Sequence, residues 1–165
     1  MERISVTALI GAVAVAGALA LVPAAAPAAA RDLWATVNIC NTNRHPYMMG
    51  VRARMPGDGT HERMFMRFTA QFRVAGEWKR VDGGRSRWLY AGSALFRSQE
   101  LGYTFTFDPP PAGRSYLFRG LVQMQWRLRG RIVHRTHVYT ERGHPTRSSD
   151  PRRFSAATCR ISTPA

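Results

Sequence analysis

Cysteine is almost missing from this chain: Cys40 and Cys159 are the only two in 165 residues. That excludes a disulfide-dense miniature scaffold, and no Cys-x-x-Cys or His–Cys spacing prepares a zinc site. Lysine is scarcer still, since all but Lys79 of the 24 basic residues are arginine. Acids number only ten. After Ala30 no stretch carries apolar residues at helical spacing, which argues against a helical bundle or an α/β fold. The Gly-x-Ser-x-Gly elbow, the His-Glu-x-x-His zinc motif, the phosphate loop and the dinucleotide fingerprint are all missing. The sequence therefore designates no catalytic residue, no metal ligand and no cofactor.

What is present begins with an uncharged run from Ile4 to Ala30, behind Glu2 and Arg3 and ending in Ala28-Ala29-Ala30. A charged start, an apolar middle and small residues at the end have the layout of a secretory signal peptide. The expected organisation is a leader over residues 1–30, cut near Arg31, and one domain over 31–165, secreted or on the exterior of the cell envelope. An uncleaved anchor is the alternative, because Ile4 to Val22 approaches the length of a bilayer crossing. Pro23, Pro27 and the Ala/Gly composition favour cleavage. A membrane is a partner only if the leader is retained.

An oxidising compartment makes a Cys40–Cys159 disulfide the expected use of the two thiols. The pair would close the domain's two ends across 119 positions. One conflict accompanies it: Leu33, Ala35, Val37 and Ile39 share a strand face, and Cys40 falls on the opposite one. A bulge near Cys40, or a bridge at the end of the fold, would resolve this.

Period-two alternation dominates the rest. From Arg63 to Val74, Met64, Met66, Phe68, Ala70, Phe72 and Val74 share one face, opposite Arg63, Phe65, Arg67, Thr69, Gln71 and Arg73. From Tyr116 to Leu128, Tyr116, Phe118, Gly120, Val122, Met124, Trp126 and Leu128 alternate with Leu117, Arg119, Leu121, Gln123, Gln125 and Arg127. Tyr47–Met55 and Leu101–Phe107 repeat the pattern. Leu33–Cys40, Trp78–Val81, Arg87–Tyr90, Ile132–Tyr139 and Phe154–Ile161 are shorter candidates. Turn-forming clusters separate them, at Pro56–Gly59, Asp82–Gly84, Asp108–Pro111 and Gly143–Pro145. Eight or nine short antiparallel strands predict an all-β sandwich, with Met64, Met66, Phe68, Phe72, Tyr116, Phe118, Val122, Met124 and Trp126 buried together.

The segment Pro111-Ala-Gly113-Arg-Ser-Tyr116-Leu-Phe118-Arg119 resembles the tyrosine corner that opens strand F of immunoglobulin and fibronectin type III sandwiches. The resemblance implies an Ig-like fold and, because such folds host many functions, nothing about activity. The chain departs from immunoglobulin domains in having Phe118 where the strand F cysteine would stand.

The formal charge of +14 is the main functional cue. Arg63, Arg67 and Arg73 share the outward face of one long strand, and Arg119 and Arg127 that of another, with Arg129 in phase just beyond. If the two strands lie in one sheet, a cationic stripe results, suited to an anionic envelope polymer or an extracellular protein. Export argues against nucleic acid. The competing explanation is the arginine usage of a GC-rich genome. A secreted hydrolase with a loop-borne site, around Asp58, His61 and Glu62 or around His144 with Glu141 or Asp150, is the alternative function. His134 and His137 should point to opposite faces of a strand, excluding joint chelation. Trp126 reads as core, whereas Trp78 and Trp88 are candidate exposed platforms for stacking on sugars.

Overall fold

The computed structural model describes residues 32–163; the expected leader and its cleavage site lie outside the described residues. Nine strands form two antiparallel sheets, and no helix occurs among the described residues. The first sheet contains β1 (Trp34–Thr42), β2 (His45–Pro56) and β6 (Ser98–Thr106), in the order β1-β2-β6. The second contains β3 (Arg63–Val74), β4 (Glu77–Arg85), β7 (Ser115–Leu128) and β8 (Arg131–Tyr139), in the order β4-β3-β7-β8. In this sheet β5 (Leu89–Ser93) pairs with β3, and β9 (Cys159–Ser162) pairs with β7. A three-stranded sheet of the first, second and sixth strands facing one centred on the third and seventh has the strand arrangement of an Ig-like sandwich.

Alternation places the core. The inward residues of β3 and β7, namely Met64, Met66, Phe68, Phe118, Val122, Met124 and Trp126, are buried against Val37, Met49, Val51, Ala53, Met55 and Phe105 of the other sheet. Five of the fully buried side chains are methionines, whose unbranched thioethers fill irregular gaps between sheets. Gly120 sits where β7 approaches the first sheet closely. A Cβ built there would lie 2.8 Å from Thr140 Cγ2 and 2.9 Å from Val51 Cγ2.

Two of the expected core residues do not behave as expected. Tyr116 is 38% exposed and Phe72 only partly buried. The β3–β7 pairing ends at Phe72↔Phe118, so Tyr116 lies beyond the paired part of β3 and has only β9 hydrogen-bonded beside it. It packs edge-on against Phe118 at 6.5 Å.

The expected turn at Asp82–Gly84 is not a hairpin. The chain reverses at Ala75–Gly76, whose φ values of +49° and +86° are those of a two-residue turn with both central residues left-handed. Gly83 and Gly84 instead sit in a bulge of β4, where Thr69 pairs with Arg85 and Gln71 with Arg80. The extended segment expected over Phe154–Ile161 is likewise shorter, and only Cys159–Ser162 is strand.

The residues after β8 run along the free edge of β1. Val37 and Ala156 exchange both backbone hydrogen bonds, at 2.9 and 3.1 Å, and Asp150 N–H donates to Asn38 O at 2.9 Å. Thr36 Oγ1 reaches Glu141 O and Ser155 Oγ, each at 2.7 Å. The backbone of an otherwise open edge is thereby satisfied. Register shifts interrupt β1 between Val37 and Ile39 and between Cys40 and Thr42. These bulges rotate Cys40 toward β9, and a disulfide joins Cys40 to Cys159 with a Cα separation of 5.4 Å.

Asp150 anchors this segment to the β1–β2 hairpin. Its carboxylate accepts from Thr42 Oγ1 at 2.6 Å, Arg44 at 2.8 Å and His45 Nδ1 at 2.8 Å. These three hydrogen bonds, Thr42 foremost, hold its pKa well below the ordinary carboxylate value. A group depressed in the folded state contributes stability above its unfolded pKa and loses it as pH falls. The protein should therefore lose stability on acidification below about pH 4, where unperturbed Asp titrates. Asp150→Asn should be less stable at neutral pH and lose less on acidification. Denaturation midpoints of both proteins across a pH series give the test. Parallel profiles would show that Asp150 does not carry the effect.

Candidate anion-binding face

β3 and β7 are adjacent and antiparallel, so the arginines of both emerge on the same outer face. Arg63 pairs with Arg127, Arg67 with Gln123, and Gln71 with Arg119. Across this pair the cations occur at every second outward-facing rung. Arg129 stands apart. It occupies the turn to β8 with φ +49°, because Arg129-Gly130 is the hairpin reversal.

The guanidiniums lie on aromatic rings supplied by β3, β4, β5, β8 and the segment joining β4 to β5. Arg63 lies 4.7 Å from the Tyr90 ring and 5.5 Å from Phe65, and Arg127 lies 4.4 Å from Phe65. The Trp88 ring has Arg67 at 4.5 Å and Arg127 at 5.5 Å. Further along, Arg119 lies 4.5 Å from Trp78 and 4.0 Å from Tyr139, with Arg73 6.0 Å from Trp78. The result is a ladder of alternating cations and rings. Trp78 and Trp88 are thus occupied by arginine rather than offered as sugar platforms. Each cation–ring contact contributes about 0.5–1 kcal/mol when exposed and about 2 when desolvated.

Glutamines orient three of these cations. Arg67 Nε and one terminal nitrogen donate to Gln123 Oε1 at 3.1 and 2.9 Å. Arg119 Nε donates to Gln71 Oε1 at 2.8 Å. Arg127 donates twice to Gln125 Oε1, at 3.1 and 2.7 Å. Among the described residues, none of Arg63, Arg67, Arg73, Arg119 and Arg127 forms an ion pair with a carboxylate. Burial lowers the pKa of Arg67 and of Arg119, with Arg85 adding repulsion at Arg67, yet a guanidinium remains charged throughout the accessible pH range.

On the opposite face arginines meet acids. On the outer side of the first sheet, Glu100 accepts from Arg52 at 2.7 Å and from Arg54 at 2.8 Å, and Asp32 accepts from Arg54 at 3.1 Å and Arg97 at 3.0 Å. Hydrogen bonds from Arg54 and then Arg97 lower the Asp32 pKa. Burial pushes Glu100 up, but Arg54 and Arg52 outweigh it. Four arginines away from the β3–β7 face are thus paired with acids, and the five on that face are not.

The loop clusters form differently from their sequence order. A cavity of about 330 Å³ at one end of the sandwich is lined by Leu33, Pro56, Asp58, Glu62, Trp126 and His134, among others. His134 takes the place expected for His61, which is exposed. Its ring lies 4.9 Å from Trp126, whose indole N–H donates to Pro56 O at 3.2 Å. Asp58 is held below its ordinary pKa chiefly by Thr60. His144 does meet Glu141, at 3.0 Å, and stacks on Trp34 at 4.1 Å, while Asp150 binds His45 instead. His134 pairs with inward Trp126 and His137 with outward Gln123, so the two histidines face opposite ways as expected. No group of three or more His, Cys, Asp or Glu side chains among the described residues is placed to hold a metal ion.

The fold and this face define an all-β sandwich with a cation–aromatic ladder along its β3–β7 side. No family model matches the chain, and no curated protein matches it in sequence.

Proposed function

We propose that this protein is an exported, non-catalytic binding module of the immunoglobulin/fibronectin type III kind. Its outer β3–β7 face engages an anionic polymer of the cell envelope. The observation that carries the reading is the ordering of five arginines on one face: rings and glutamines position them and no carboxylate pairs with them, whereas acids pair with Arg44, Arg52, Arg54 and Arg97 elsewhere. Rings and glutamines fix the guanidiniums before binding, which reduces the side-chain entropy lost on association. The Cys40–Cys159 disulfide is compatible with an oxidising exterior.

Wild-type protein should bind a heparin-like resin and elute at a salt concentration that drops sharply in R67Q/R119Q/R127Q. Counterion release underlies this: on duplex DNA each phosphate contact adds about 0.9 to the log–log salt slope. A control, R114Q/R142Q/R147Q, removes the same charge from exposed positions off the face and should elute close to wild type. Because the first variant also loses ring contacts, its folding is checked by chemical denaturation. Equal elution of the two triple variants would reduce the face to a solvated surface.

One observation favours a hydrolase as the second reading: the end cavity brings His134 beside Asp58 and Glu62. Hydrolysis of model ester or glycoside substrates that is abolished in H134A would establish it.

A further inference from the structure

The outer face is not uniform. Where β8 extends it, a groove of about 240 Å³ is lined by Arg67, Trp88, Gln123, Gln125, Arg135 and His137, together with Met124 and Thr136. The register builds it, because Gln123 pairs with His137 and Gln125 with Arg135, placing two further basic side chains beside the ladder.

The hydrogen-bond polarity of this groove can be deduced. Arginine only donates, so the glutamine atoms facing Arg67 and Arg127 must be the carbonyl oxygens. Gln123 Oε1 serves Arg67 and Gln125 Oε1 serves Arg127. Each glutamine therefore leaves its amide N–H₂ with no bond to another described residue. Two amide groups, two guanidiniums and an imidazole thus line one groove without a carboxylate among them.

We propose that this groove is a discrete subsite for a tetrahedral oxyanion, the sulfate or phosphate ester of a glycan chain lying along the face. This rests on the polymer-binding reading above and goes beyond it by naming the group recognised. Donors arrive from β3, β7 and β8, three strands spread across the sheet. An ester with three terminal oxygens accepts from all three directions, whereas a planar carboxylate offers two oxygens to one or two of them. Arg135, whose guanidinium lies on no ring among the described residues, and His137, whose imidazole packs edge-on to Tyr139, are the residues that set this preference.

The test compares dextran sulfate, phosphorylated dextran and carboxymethyl dextran of matched charge density, titrated against wild type, R135Q and R131Q. Arg131 lies on the same strand at the hairpin end, outside the groove, so R131Q makes an equal charge change. Wild type should bind at least one ester polymer about ten-fold more tightly than the carboxymethyl polymer. R135Q should erase most of that preference and R131Q keep it. Preference for one ester alone identifies sulfate or phosphate as the group. Equal binding of all three polymers by wild type would overturn the subsite while leaving the polymer-binding face standing. Indistinguishable behaviour of R135Q and R131Q would overturn the subsite in the same way. Binding to none of them would remove both.

Discussion

Phe68→Ala should destabilise the domain by about 3–5 kcal/mol, the largest effect expected of any single substitution. Phe68 is fully buried at the middle of β3. It pairs with Val122 in its own sheet and stacks on Tyr103 of β6 at 6.0 Å. Its backbone is fixed on the other side, where Ser86 N–H donates to Phe68 O at 2.9 Å and Ser86 Oγ accepts from Phe68 N–H at 3.0 Å. With the strand held on both sides, the sheets cannot easily close on the space left by the ring. Phe68→Leu keeps most of the volume and should cost well under half as much. Urea denaturation with unchanged slope and a displaced midpoint is the expected signature. A loss below about 1 kcal/mol for Phe68→Ala would mean that the surrounding methionines refill the site, and that the core is looser than its burial implies.

Removing the disulfide should produce the second-largest effect. Cys40 and Cys159 enclose 119 positions of sequence, for which chain entropy alone gives about 5 kcal/mol, and measured losses are commonly about 2–4. The bond also holds β9 and the segment leading to it along β1, where the hydrogen bonds of Thr36, Val37 and Asn38 form. The C40A/C159A variant should therefore melt about 10 °C lower and exchange the amides of residues 141–158 faster than those of β3 and β7. A reducing agent should lower the melting temperature of wild type toward that of the variant and leave the variant unchanged. If wild type is insensitive to reduction, the two thiols do not form this bond in the native protein.

The loss of the acidic anchor at Asp150 and the loss of the disulfide act on the same segment. They should therefore be less than additive when combined, as expected for groups that share one structural unit. A disulfide-free protein should also show a weaker stabilising contribution from Asp150, since the segment carrying it is then held less firmly.

The all-β class, the two long strands and the faces they present are readable from the amino acids alone. Side chains on a strand alternate with period two, so six apolar residues in phase from Met64 to Val74 leave only one inward face. The outward direction of Arg63, Arg67, Arg73, Arg119 and Arg127 followed from the same periodicity. The bridge between Cys40 and Cys159 was also legible, because two thiols expected in an oxidising compartment have only each other. Tertiary structure decided everything that depends on which strands are neighbours. Trp88 lies twenty-one residues after Arg67 in sequence, and no local pattern says that its ring meets that guanidinium and the one at Arg127. The exposure of Tyr116 required knowing where β3 and β7 part, and the orientation of Cys40 required the bulges of β1. The donor-lined groove required β7 to pair with β8 in one particular register. Periodicity is a local property that a sequence carries openly. Register and adjacency are set by non-local packing of the whole core, and they alone turn separate arginines and rings into a face.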